Sequence, residues 1–156
     1  MAVKYASAKP EDVKFMEVAM EEARKGLAEG GIPIGSCLVI DGKVVGKGHN
    51  QRVQKESPTL HGEIHCLEEA GRLKAKDYER ATLYTTLSPC PMCSGAIRLF
   101  KIPRVVLAEN VNFLGDEELL SKEGVELINL NSKEAIEMMK TFIETHKELW
   151  FEDIAI

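Results

Sequence analysis

Cysteine is scarce in this chain, four in 156 residues, too few for a disulfide-stapled scaffold. No apolar run approaches the roughly 20 residues that cross a bilayer, which excludes membrane insertion. Residues 1–9 lack the apolar core of a signal peptide, so the cytoplasm is the expected compartment. Basic charge is not in excess either. With 20 Lys+Arg against 25 Asp+Glu the net charge is −5, which argues against a nucleic-acid backbone as principal partner. Repeats, low-complexity tracts and linkers are also missing, and residues 1–156 read as one domain. A domain of this length buries roughly two thirds of its unfolded surface. A metal ion here would therefore serve chemistry rather than stability.

What is present is ordinary globular composition, 44% hydrophobic, which excludes disorder. Pro10 followed by Glu11 and Asp12 suits a helix start, and Met16, Met20, Ala23 and Leu27 keep helical spacing up to Gly30-Gly31. Residues 36–40 and 43–47 flank Asp41-Gly42 and predict a hairpin. A loop over 50–60 precedes a helix over 61–73, a strand over 82–87 and a helix over 91–100 that Pro103 follows. Then come a strand over 104–107, a short helix over 116–121, a strand over 125–130 and a closing helix over 132–147, with Asn131 and Glu134 in capping-box spacing. Strands alternating with helices after a hairpin predict an α/β fold. It is a three-layer αβα sandwich in which helices cover both faces of a mixed five-stranded sheet.

Two segments carry chemistry: His61-Gly62-Glu63, and Pro89-Cys90-Pro91-Met92-Cys93. Together they fit the zinc deaminase pattern H-x-E…P-C-x-x-C. Cys90 and Cys93, three apart at a helix start, share one face, and the exposed N–H groups there favour thiolates over thiols. His61 and Glu63, two apart, converge on one point only at a helix end, where side chains lean back toward the N-terminus. Two thiolates and one imidazole make three ligands and leave a fourth tetrahedral position for water, as catalytic zinc sites do. Because two thiolates cancel the formal charge of the ion, a carboxylate base is needed, and Glu63 is placed to be one. Cys90 and Cys93 alone would equally suit a redox or structural zinc module. The His-x-Glu pair at a second helix start is what tips the balance. His65, one turn after His61, reads as a packing residue, since a fourth protein ligand would close the water position. Cys37 and Cys66 read as small buried side chains. Asn50, Phe113, Trp150 and Asp153 by themselves read as a turn residue, two core aromatics and a solvated acid.

The chain resembles the fungal cytosine deaminases over nearly its whole length. The likeness is carried by residues 29–35 (EGGIPIG), 48–50 (GHN), 61–63 (HGE), 84–90 (YTTLSPC), 110–113 (NVNF) and 150–154 (WFEDI). It implies a homodimer with one zinc ion per subunit that converts free cytosine to uracil and ammonia and accepts 5-fluorocytosine. Carried over residue by residue, His61, Cys90 and Cys93 would hold zinc and Glu63 would shuttle protons. Asn50 and Asp153 would hydrogen-bond the pyrimidine, with the Gly62 amide and Ser88 carbonyl assisting, and Ile34, Phe113 and Trp150 would wall the pocket. The chain departs from the family at His65-Cys66, Pro91 and Ala155-Ile156, none of which removes a named role. Two other readings compete: a tRNA or nucleoside deaminase with the same zinc segments, and a non-catalytic zinc or redox module. The first would need basic surface, and the second has no use for Glu63.

Overall fold

A computed structural model describes residues 2–156; Met1, which begins the stretch read as leaderless, lies outside them. The first helix, α1 (Pro10–Ala28), starts as its sequence dictates. Proline occupies the first turn, and the Asp12 carboxylate accepts the Lys9 amide at 2.7 Å. Met16, Met20 and Ala23 are buried along its inner face, whereas Leu27 is 41% exposed. Strands β1 (Gly35–Ile40) and β2 (Lys43–His49) form the expected hairpin, with Asp41 (φ 52°) and Gly42 (φ 75°) both left-handed at its tip. A bulge between Leu38 and Val39 shifts their register.

The loop over 50–60 contains one helical turn, α2 (Arg52–Lys55), that no apolar spacing announced. Helix α3 (Gly62–Ala70) stops at Gly71 rather than running to 73, and α4 (Ala75–Tyr78) is a second unannounced turn. There follow β3 (Ala81–Thr85), α5 (Pro91–Phe100), β4 (Arg104–Leu107), α6 (Glu117–Lys122) and β5 (Glu126–Asn129). The closing helix is two helices, α7 (Lys133–Thr145) and α8 (Lys147–Asp153), broken at His146. The cap of α7 is Ser132, whose hydroxyl accepts the Ala135 amide at 3.2 Å; Asn131 sits before it in a left-handed conformation and caps nothing.

The five strands lie in the order β2-β1-β3-β4-β5, antiparallel in the first three and parallel from β3 to β5. Alternation along each strand divides the core. Cys37, Val39, Tyr84, Val106 and Ile128 face α1 and α7, while Leu38, Leu83, Val105 and Leu127 face α3, α5 and α6. This is the αβα sandwich with a mixed five-stranded sheet. Because β3 and β4 are parallel, their C-terminal ends open toward the same edge as the starts of α3 and α5.

Candidate active site

His61 and Cys90 occupy the N-cap positions of α3 and α5, where Ser, Thr, Asp or Asn would ordinarily bond the first amides. Neither side chain caps its own helix. Instead the two meet, with His61 Nδ1 3.5 Å from Cys90 Sγ and 3.8 Å from Cys93 Sγ. The three donor atoms lie within 4.8 Å of one another, and among the described residues no fourth donor joins them. An N–S edge of a tetrahedral zinc site, with Zn–S of 2.3 Å and Zn–N near 2.0 Å, spans about 3.6 Å. The observed edges bracket that value, and soft sulfur with imidazole suits zinc. His65 points elsewhere, its Nδ1 3.1 Å from the His49 amide.

In the cluster taken by itself the Cys93 thiol donates to Cys90 and, with His61 assisting against burial, holds the Cys90 thiol down to about 4. Cys93 is correspondingly pushed well above its ordinary range by that same bond and by burial. Binding of a cation by these thiols would release their protons. Burial would lower His61, but the Cys90 thiolate, Asp153 and Glu63 outweigh it and raise the imidazole to about 9. Burial lifts Glu63 to about 7, the Cys90 thiolate adding and His61 opposing.

Beside this cluster is a small cavity of about 20 Å³ lined by Ile34, His61, Glu63, Leu87, Ser88, Cys90, Phe113, Trp150, Asp153 and Ile154. Of the other expected site residues, Cys93 is buried beneath it and Gly62 lies against the Ile34 carbonyl, only 2.9 Å from where a Cβ would stand. Asn50 is fully buried. Its Oδ1 accepts the Arg52 amide at 3.0 Å, which fixes the amide orientation, and its Nδ2 donates to Asp153 Oδ1 at 2.8 Å. Asp153 is not the solvated acid that its place near the end of the sequence suggests. Helix α8 turns it inward, 3.5 Å from His61 Nε2, and burial raises its pKa against His61 and Asn50. The same helix seats Trp150 edge-on to Phe113, ring centroids 6.1 Å apart. Leu87 and Ile154 were not singled out as site residues. Both border motif residues that were, and strand-end or helix-end position was the available signal.

Two helix starts that bring one imidazole and two cysteine sulfurs together beside a cavity at the parallel edge of an αβα sheet define a class. The chain belongs to the cytidine and deoxycytidylate deaminase family, whose zinc-binding region matches residues 9–109. It is a zinc-dependent deaminase. It is 54% identical over 145 residues to the cytosine deaminase of Candida albicans, covering 92% of this chain and 97% of that one. It is 35% identical over 151 residues to a tRNA-specific adenosine deaminase of Streptococcus pyogenes, covering 88% and 93%. Among solved structures, a tRNA:A34 deaminase that performs A-to-I editing matches with a TM-score of 0.64 and 28% identity, over 76% of this chain and 98% of that one. Acinetobacter baumannii RibD shares the fold, with a TM-score of 0.70 at 24% identity over 88% of this chain and 40% of that one.

Proposed function

We propose that this chain hydrolyses free cytosine to uracil and ammonia, one water consumed per turnover, and that 5-fluorocytosine is also a substrate. The observation that carries this reading is the buried Asp153 carboxylate at the cavity wall, held by Asn50 at 2.8 Å. Cytosine offers an N1–H to such an acceptor, whereas a nucleoside bears its sugar on that nitrogen. A site built for the bond rejects the analogue that lacks it, because the acceptor would be left buried and unpaired.

His61, Cys90 and Cys93 would hold the zinc ion. When bound, zinc supplies the Lewis acidity that makes a water reactive near neutral pH. Glu63 would take one proton from the attacking water and return it at ring N3, then carry the proton of the hydroxyl added at C4 to the departing amine, so that ammonia leaves and the carbonyl of uracil forms. Asn50 presents the second hydrogen of its Nδ2 to the 2-oxo group, and the Gly62 amide assists. The Ser88 carbonyl accepts from the exocyclic amine. Ile34, Phe113 and Trp150 clamp the ring and keep bulk water out.

A homodimer completes the proposal, with residues 1–156 as one catalytic unit per subunit. An apolar groove of about 550 Å³ lined by Ile64, Leu67, Leu73, Tyr78, Ala96 and Phe100 supports it. This groove lies on α3 and α5, the helices that start at the zinc cluster. No helix among the described residues is long and apolar enough to cross a membrane. Four free cysteines suit the reducing cytoplasm. The test of substrate class is a parallel ultraviolet assay of cytosine and cytidine. Cytosine is expected to be consumed and cytidine left intact; equal turnover of both would overturn the assignment.

A further inference from the structure

Glu117 is fully buried at the start of α6, outside the site described above, yet it is wired to it. Four side-chain contacts converge on its two carboxylate oxygens. The Tyr5 hydroxyl donates to Oε1, the Ser88 hydroxyl donates to Oε2 at 2.5 Å, and Asn110 Nδ2 reaches both at 3.3 Å. Tyr5 precedes α1, Ser88 follows β3 and Asn110 follows β4, so one carboxylate joins three separate parts of the chain.

The Ser88 hydroxyl is committed in both directions, because it also accepts the Gly115 amide at 3.0 Å. Its neighbour Pro89 accepts the Asp116 amide at 3.1 Å and the Ser94 hydroxyl at 3.3 Å through its carbonyl. A Cβ on Gly115 would stand 1.9 Å from the Pro89 oxygen, so the loop carrying Phe113 is pressed directly on the segment carrying Ser88 and Cys90. The Ser88 main chain is thereby fixed by its amide, which donates to the Glu109 carbonyl at 3.1 Å, and by its hydroxyl. Its carbonyl receives no hydrogen bond from any described residue, although Ser88 is buried at the cavity wall.

We infer that Glu117 is a positioning residue for the deamination reaction, aiming the Ser88 carbonyl at the exocyclic amine through the Ser88 hydroxyl. The inference rests on the proposed deamination of cytosine and deepens it. Selectivity for an amino group at the reacting carbon is then set in part by a carboxylate that never touches substrate. An amide at position 117 would turn one of its two ends into a donor facing Ser88, Tyr5 or Asn110, all of which already donate.

The test compares Glu117→Gln, Ser88→Ala and their combination with the parent holoenzyme. It measures kcat/KM for cytosine and the inhibition constant of pyrimidin-2-one, which keeps N1–H and the 2-oxo group but lacks the amine. Each single change is expected to lower kcat/KM for cytosine about tenfold or more, while pyrimidin-2-one binding changes less than about twofold. The double variant should be no worse than Glu117→Gln, because the two residues act as one unit. Ser88→Ala keeps the carbonyl and decides the matter if Glu117→Gln does not fold. Equal loss for both ligands, additive losses, or unchanged kinetics would overturn the inference. A parent that leaves cytosine untouched overturns the functional proposal itself, and is told apart by the parent assay alone.

Discussion

Asn50 Nδ2 and Asp153 Oδ1 meet at 2.8 Å although 103 positions separate them in the chain. The bond ties the end of β2 to α8, so the acceptor for the ring N–H exists only when the last helix is seated over the cavity. Substitution of Asp153 by Asn leaves two amides facing each other and removes the charge-assisted acceptor. The expected loss in kcat/KM for cytosine is about 30- to 100-fold, or about 2–3 kcal/mol. Steady-state ultraviolet kinetics check it, and a loss under threefold would remove Asp153 from substrate recognition.

Glu63 is buried beside the cluster but is not one of its three donors. Glu63→Ala is expected to keep its fold and its zinc while turnover falls by about 10²–10⁴. Metal analysis and circular dichroism alongside the assay separate the roles. Zinc lost together with activity would make Glu63 a structural support rather than a proton carrier.

Much of this site was legible because its chemistry depends on local spacing at two helix starts. His61-x-Glu63 and Cys90-x-x-Cys93 stand where short-range rules place them, and β4 and α5 follow the expected bounds. What was hidden depends on tertiary context. The break between α7 and α8 has neither Gly nor Pro; it occurs at His146, which stacks on Phe142 at 4.7 Å. The single turns α2 and α4 are too short for any apolar period to declare. Glu117 lies in an acidic run, Asp116-Glu117-Glu118, within the short helix expected over 116–121, and only the fold delivers Tyr5, Ser88 and Asn110 to it.

Away from the site, Asp12 on α1 accepts two 2.7 Å bonds from Arg104 on β4 and one of 2.8 Å from the Tyr84 hydroxyl. Burial works against the charge, but Arg104, the Lys9 amide and Tyr84 outweigh it and hold the carboxyl at about 2. A depressed carboxyl contributes stability that is present above its ordinary value of 3.8 and lost as pH falls toward 2. Urea unfolding from pH 5 to pH 2 should therefore show an acid slope that is shallower in Asp12→Asn. At neutral pH that variant should be less stable by about 3 kcal/mol, since Arg104 loses its buried partner. An identical acid slope in both proteins would contradict this.

Gly115→Ala drives a methyl group into the Pro89 carbonyl, backbone against backbone. The expected cost is about 1–3 kcal/mol of stability, accompanied by weaker zinc retention because Pro89 leads directly into Cys90. Thermal unfolding and the rate of zinc loss to a chelator check both halves. A variant matching the parent in both would show that the Phe113 loop is free to shift.

A three-donor zinc site that activates water for a free pyrimidine base must lose and regain its activity with the ion. The most direct measurement strips the protein with a chelator, restores zinc in steps and follows cytosine loss at each step. Activity should vanish on stripping and return linearly, levelling off at one zinc ion per chain. Full turnover by metal-free protein, or a plateau at any other ratio, would contradict it.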